Sequence, residues 1–275
     1  MMSIEEQVKV FLDEDIGSGD VTALIIPEES QAVATIITRQ GMVLCGQAWV
    51  SAVFKSLDET IAIEWLVKEG EWVDAGSQLC ILSGNTRGLL TGERTALNLL
   101  QTLSAVATES RQYARAVAGT TCQILDTRKT LPGLRLAQKY AVKCGGCLNH
   151  RVGLYDGILI KENHIVAAGS ITAAVSRARL ISSVLVEVEV ENQHELREAV
   201  DARPDRIMLD NFSLEDMRGA VEWVAGRVPL EASGDVTLEG ITTIARTGVD
   251  FISVGALTKN VSAVDLSMRV SVQKG

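Results

Sequence analysis

Long apolar runs are missing from this chain. Its most hydrophobic stretches, such as AVATIIT at 32–38 and VLVEVEV at 184–190, fall far short of the roughly 18 uninterrupted apolar residues of a membrane span, so no transmembrane segment is expected. A basic start leading into an apolar core is also missing. The chain opens MMSIEEQVKVFLDEDIGSGD, acidic where a secretory leader would be basic, and the cytoplasm is the expected location. Proline is scarce, at four residues, and neither a proline-rich linker nor a low-complexity tract divides the sequence. Positive charge is in deficit. With 26 basic against 35 acidic side chains and a net charge of −9, the protein would repel a polyanionic duplex, which argues against nucleic acid as a partner. The cysteines, Cys45, Cys80, Cys122, Cys144 and Cys147, are odd in number and dispersed. A disulfide framework is therefore not expected, and reduced thiols are.

What is present is 275 residues with 47% hydrophobic content, enough for a substantial core in one large or two ordinary domains. The character of the chain changes near residue 105. Before it, glycine-separated β-rich runs stand at 32–39, 61–67 and 78–84, with a helical pattern at 46–57. Between 89 and 117, Leu97, Leu100, Leu103 and Val106 recur at helical spacing, which predicts one long helix or two in tandem. A regular alternation then begins. Strands are predicted at 122–127, 157–161, 184–190, 206–210, 229–233 and 251–255, with helices at 171–180, 192–202 and 213–225.

Alternating strands and helices imply parallel β-α units, and six of them suggest a closed or nearly closed barrel, with a doubly wound open sheet as the alternative. Asp126, Lys161, Glu189 and Asp210 favour the barrel: each stands near the C-terminal end of a different predicted strand, where barrel active sites form.

Basic residues concentrate between Arg128 and Lys161, in an otherwise acidic chain. DTRKTLPGLR (126–135) packs Arg128, Lys129 and Arg135 around Pro132 and Gly133, and NHRVGLYDGILIKENH (149–164) adds His150, Arg151 and Lys161. Arginine offers a planar fork for carboxylate or phosphate, and lysine a point charge. Two such clusters at one mouth would hold a multiply charged anion, although a solvated basic loop has the same composition. His164 and His194 read as surface or supporting residues. Glu187 and Glu189 share one face of a period-two strand, opposite Val186, Val188 and Val190. With Asp210 they could bind Mg²⁺ through oxygen ligands or stabilise a developing positive charge; ion pairs inside the barrel are the plainer reading. ASGDV (232–236) and SVGALTKN (253–260) place glycine after a strand and before a helical pattern, as phosphate-binding loops do.

Two signals compete. Cys144 and Cys147 in KCGGCLNHR have C-x-x-C spacing, but no second pair completes four metal ligands. VKEGEWVDAGSQL (67–79) has the glycine-spaced turns of biotinyl and lipoyl carriers without their lysine-tipped hairpin.

DTRKTLPGLR, GGCLNHRVGLYDGILIKENH, EVEVEN, DRIMLDN, EASGDV and GVDFISVGALTKNVSAVDLSM, in that order, resemble the quinolinate phosphoribosyltransferase family, and ERTALNLL and DEDIGSGDVT extend the likeness toward the N-terminus. The resemblance implies an α/β fold: an N-terminal α/β sandwich over 1–105 and an incomplete TIM-like α/β barrel of six to seven parallel strands over 106–265, with the tail 266–275 packing back on the first domain. It implies transfer of phosphoribose from phosphoribosyl pyrophosphate to quinolinate with decarboxylation, a need for Mg²⁺, and a homodimer with a shared active site, or a hexamer. By the same resemblance Arg128, His150, Arg151 and Lys161 grip the acceptor's carboxylates, with Thr127 and Lys129 nearby and Arg94 entering from the neighbouring chain. Lys129, Glu189 and Asp210 are the implied catalytic set, the two acids also facing Mg²⁺. Ser233, Gly234, Gly255 and Ala256 are implied to hold the sugar phosphate. KCGGCLNHR then reads as a glycine loop that aims His150 and Arg151. Cys147 and Asp235 depart from the family's usual glycine and its glycine or asparagine. The alternatives are a same-fold, molybdenum-associated homologue with another acceptor, a non-catalytic carrier, and a barrel lyase using Lys129 or Lys161 as a Schiff-base amine.

Overall fold

Ser3 starts the first helix of the computed structural model, which describes residues 2–272. Its hydroxyl accepts the Glu6 N–H and the Glu6 carboxylate accepts the Ser3 N–H, a reciprocal cap that satisfies two otherwise orphaned donors. Helix α1 (Ile4–Ile16) buries Val8 and Leu12. The chain divides into two compact units, the first formed by Met1–Glu109 together with the segment from Val261, the second by Ser110–Asn260.

In the first unit β1 (Gln31–Thr38) alternates, with Ala32, Ala34, Ile36 and Thr38 buried, as a half-buried strand must. It is followed by β2 (Met42–Val43), α2 (Gln47–Leu57), β3 (Ala62–Trp65), β4 (Trp72–Val73) and β5 (Gln78–Asn85). Strand β5 lies antiparallel between β1 and β3. The expected long helix is a single one, α3 (Thr86–Ala116). Gly92 lets it approach α2 closely, since a Cβ there would stand 2.8 Å from the Phe54 ring.

The second unit runs β6 (Gln123–Leu125), α4 (Arg135–Gly145), β7 (Ile158–Ile160), α5 (Glu162–Ala168), α6 (Ile171–Ile181), β8 (Val186–Val190), α7 (Gln193–Ala202), β9 (Arg206–Asp210), α8 (Leu214–Val224), β10 (Leu230–Ser233), α9 (Ile241–Ala245), β11 (Phe251–Ser253) and α10 (Ala256–Lys259). Six strands form one parallel sheet in the order β6-β11-β10-β9-β8-β7, and a bridge from Leu125 to Leu148 adds a rudimentary seventh. Among the described residues β6 and β7 do not pair, so the barrel is incomplete. Helices α1, α4 and α5 are absent from the sequence reading. In α4 the stretch expected as a glycine loop begins as helix: Lys143, Cys144 and Gly145 form its last turn, and only Gly146, at φ +100°, makes the turn out.

The last strand, β12 (Leu266–Val272), belongs to the first unit and pairs antiparallel with β1; positions 273–275 of the expected tail lie outside the described residues. No helix among the described residues is long and apolar enough to cross a membrane.

Candidate active site

Parallel strands in register bring their C-terminal ends together, and alternate residues on each strand share a face. Asp210 sits opposite Ser233, Glu189 opposite Met208, and Ser253 opposite Leu125. The mouth so formed holds a cavity of about 390 Å³. It is lined by Thr127, Arg128 and Lys129 after β6, His150 and Arg151 before β7, Lys161 after β7, and Glu189, Asp210 and Ser233 at the ends of β8, β9 and β10. Leu159, Met208 and Ser253 complete the lining. Sequence reasoning missed these three; their spacing of two residues from the candidates Lys161, Asp210 and Gly255 was the available signal.

The cations are held by their own loops. Arg135 braces the loop after β6, donating from Nε to Thr130 Oγ1 at 3.0 Å and from Nη1 to Val152 O at 3.2 Å. Lys129 N donates to Thr127 Oγ1 at 3.1 Å, and Thr258 Oγ1 donates to Lys129 O at 2.7 Å. The Lys129 stem passes so near Gly255 that a Cβ there would meet Cδ at 3.0 Å. Arg128 Nε is buried with no hydrogen-bond partner, a cost that an incoming anion would relieve. Burial, and then the Arg128 charge, lowers the pKa of Arg151. Like charges held together in this way favour a multiply anionic ligand.

His150 is fixed on every side. Its N–H donates to Asp126 Oδ1 at 2.9 Å, and its carbonyl accepts from Lys139 Nζ at 2.9 Å. Lys139 and Asp126 form a buried ion pair, and Asn149, with its amide oriented to donate, reaches the second Asp126 oxygen at 2.9 Å. In the ring, Nε2 lies 2.7 Å from Glu187 Oε2, while Nδ1 accepts the Arg151 N–H at 2.8 Å. Both ring nitrogens are thus taken up by protein partners. His164 plays a supporting part, its Nδ1 accepting the Lys161 N–H at 3.0 Å. His194 donates its backbone N–H to Asn192 at the start of α7.

On the acidic side, Lys161 Nζ donates to Glu189 Oε2 at 2.6 Å. Asp210 is half-buried and accepts from Asn211 Nδ2 at 2.9 Å. Two carboxylates at the mouth supply hard oxygen donors, the type Mg²⁺ takes one or two of while keeping waters and substrate phosphates, so the donor set fits that ion.

Gly234, at φ +140°, stands where a Cβ would fall 2.8 Å from Asn211 Oδ1, and it lines a second cavity of about 500 Å³ that shares Ser233 with the first. Asp235 is exposed in the same loop. Gly255 caps the short α10, which Ala256 begins; neither lines the first cavity. Arg94 stands exposed on α3 in the first unit and is not among the residues of that lining.

Residues 106–269 match the family described as "Quinolinate phosphoribosyl transferase, C-terminal domain", and residues 20–104 the corresponding N-terminal domain. The chain belongs to the quinolinate phosphoribosyl transferase family. It is 41% identical over 98% of its length to a Bacillus subtilis protein named "Probable nicotinate-nucleotide pyrophosphorylase [carboxylating]", and covers 94% of that protein. A Synechocystis protein of the same name is 42% identical, with 97% of this chain and 92% of that one covered. The solved nicotinate-nucleotide pyrophosphorylase from Francisella tularensis is similar in fold at a TM-score of 0.95, with 48% identity over 98% of this chain and 96% of that one. This family member therefore shares both units with its relatives.

Proposed function

We propose that the chain transfers the phosphoribosyl group of phosphoribosyl pyrophosphate to the ring nitrogen of quinolinate, releasing pyrophosphate and CO₂ and giving nicotinate mononucleotide for de novo NAD synthesis. It is then a pentosyltransferase, and its relatives' names favour this reaction over transfer to another acceptor. A cationic cavity in an acidic protein carries this reading: Arg128, Lys129, Arg151 and Lys161 converge there beside Glu189 and Asp210, although the chain as a whole carries −9.

A pyridine dicarboxylate presents two anionic forks. Arg128 and Arg151 match them in shape, and Lys161 adds a point charge. Thr127 and Lys129 would lie between the acceptor and the donor, with Lys129 offsetting charge on the departing pyrophosphate. The ribose carbon gains positive charge as that group leaves, and the carboxylates of Glu189 and Asp210 would stabilise it. The Ser233 hydroxyl and the backbone N–H groups of Gly234, Gly255 and Ala256 would hold the sugar phosphate. Mg²⁺, when bound through Glu189 and Asp210 or their waters, would neutralise pyrophosphate charge. No protein nucleophile is needed; positioning and electrostatics supply the rate.

The same reading includes a homodimer, or a hexamer built from it, in which Arg94 of a second copy completes each site. Mixing Arg94→Ala chains with Glu189→Ala chains, each inactive alone, would restore activity if sites are shared; no recovery in a dimer verified by light scattering would exclude sharing. Cytoplasmic operation belongs to the same reading, and the five free cysteines, Cys45, Cys80, Cys122, Cys144 and Cys147, are in keeping with a reducing compartment. Fractionation of the source cells tests it.

The direct test is incubation with quinolinate, phosphoribosyl pyrophosphate and Mg²⁺, following nicotinate mononucleotide by mass together with CO₂, with nicotinate as the control acceptor. Product from quinolinate alone, lost on chelation, is expected. Absence of product from a folded protein would overturn the assignment.

A further inference from the structure

Below the cavity lies a buried set of charged side chains that the transfer chemistry does not touch. Glu187 and Glu231 are fully buried, at 0% exposure each, on alternate positions below Glu189 and Ser233. Arg206 Nη1 donates to Glu231 Oε2 at 2.8 Å, and its guanidinium stacks 4.1 Å from the Phe251 ring centre. His150 Nε2 lies 2.7 Å from Glu187 Oε2 and 3.7 Å from Glu231 Oε2. One oxygen on each acid, Glu187 Oε1 and Glu231 Oε1, has no donor.

Two ionised carboxylates only accept, so neither orphaned oxygen can satisfy the other unless one acid carries a proton. One carboxylate oxygen of Glu187, one of Glu231 and a His150 ring nitrogen lie within 4.8 Å of one another, and burial, then the neighbouring Glu187 charge, pushes Glu231 up to about 7. A single proton on Glu231 therefore provides the missing donor. His150 Nδ1 already accepts the Arg151 N–H, which leaves Nε2 to carry the ring proton toward Glu187. The histidine, Glu187 and Glu231 lie close enough for a metal trio, but the Arg206 guanidinium already supplies the positive charge there and would repel a cation.

We propose that Glu231, Glu187 and Arg206 are positioning residues: Glu231 donates to Glu187, Glu187 accepts from the neutral Nε2–H form of His150, and His150 Nδ1 holds the Arg151 amide so that Arg151 faces the acceptor. The contacts of the His150 ring with Glu187 and with the Arg151 amide stand on the geometry, the Glu231 link on the two orphaned oxygens, and the facing of Arg151 to the acceptor rests on the function proposed above. His150 thus acts through its ring and its grip on Arg151 rather than as a cation. The other charges around it, Lys139 and Asp126 on its backbone side and Arg151 and Arg206 on its ring side, are all engaged in pairs or backbone contacts.

Glutamine at position 231 mimics the protonated acid, since its amide donates to Glu187 while its oxygen accepts from Arg206. Glu231→Gln is therefore expected to keep kcat/KM for quinolinate within about 3-fold, whereas Glu231→Leu raises the quinolinate KM about 10-fold with the phosphoribosyl pyrophosphate KM nearly unmoved. Nitrogen-15 NMR of the intact protein reads the histidine directly. The chain has three histidines, and His150→Gln identifies the signal. The expected spectrum is the Nε2–H tautomer from pH 6 to 8 (about the range in which an unperturbed histidine changes charge), unchanged in Glu231→Gln. A doubly protonated His150 at neutral pH overturns the proposal, as does a Gln variant as damaged as the Leu variant, or equal shifts in both KM values. If the wild-type protein turned over no quinolinate, the function would fall while the NMR signal still decided the buried chain.

Discussion

Lys161 at the end of β7 reaches Glu189 at the end of β8, Nζ to Oε2 at 2.6 Å, with the lysine side chain 45% and the glutamate 8% exposed. Neighbouring strands of a parallel barrel thus place a cation proposed to bind the acceptor against an acid proposed to face the ribose. Glu189→Ala removes that acid and is expected to lower kcat about 10²–10³-fold, the scale for losing one electrostatic stabiliser. Glu187→Ala acts below the cavity and is expected to raise the quinolinate KM with a much smaller loss of kcat. Steady-state kinetics on both variants checks the ranking, and equal kcat values would refute it.

Lys139 and Asp126 bear on stability and its pH dependence. Burial raises Asp126 from its ordinary 3.8 to about 6, against the opposing pull of Lys139. The folded protein therefore binds this proton more readily than the unfolded chain does, and this group's contribution falls as pH rises from near 4 to 6. Lys139→Met leaves the carboxylate buried and unpaired, at an expected cost of about 3–5 kcal/mol near pH 8. Protonation of Asp126 should shrink that cost at pH 5. Urea unfolding at both pH values measures it, and a pH-independent penalty would contradict the assignment.

Gly234 holds a φ of +140°, a conformation that residues with a Cβ rarely adopt, and a Cβ there would also displace Asn211 Oδ1, 2.8 Å away. Gly234→Val should strain the loop by about 1–3 kcal/mol and raise the KM for phosphoribosyl pyrophosphate well above any change for quinolinate. Isothermal titration with each substrate separates the two, and a selective loss of quinolinate binding would move the phosphate site elsewhere.

Arg128 supplies a buried Nε without a partner. Lysine keeps the charge but not the fork, so Arg128→Lys is expected to weaken quinolinate binding about 10-fold or more while sparing the fold. An unchanged KM would remove Arg128 from the acceptor grip.

The β-α alternation of the second unit, and the acids and cations at its strand ends, were legible in the chain because strand periodicity and loop composition are local properties. The three missed helices were less so. In α4 the buried Ala137, Ala141 and Val142 follow a Pro-Gly turn and are small enough that the basic residues around them dominate the pattern. Lys139, which no sequence pattern singled out, is 1% exposed in that helix because its partner Asp126 stands just after β6.

The sequence by itself determined the parallel β-α units and the set of charged residues available for a polyanionic substrate, since spacing and side-chain type are written along the chain; that 89–117 is one helix and not two was decided by the structure. Tertiary structure alone decided their partnerships. Strand register set Glu187 opposite the half-buried Arg206 while Glu189 meets Lys161, so two glutamates two residues apart meet different dielectric surroundings and different counter-charges. Burial and distance between residues remote in the chain set those differences, and no local pattern encodes them.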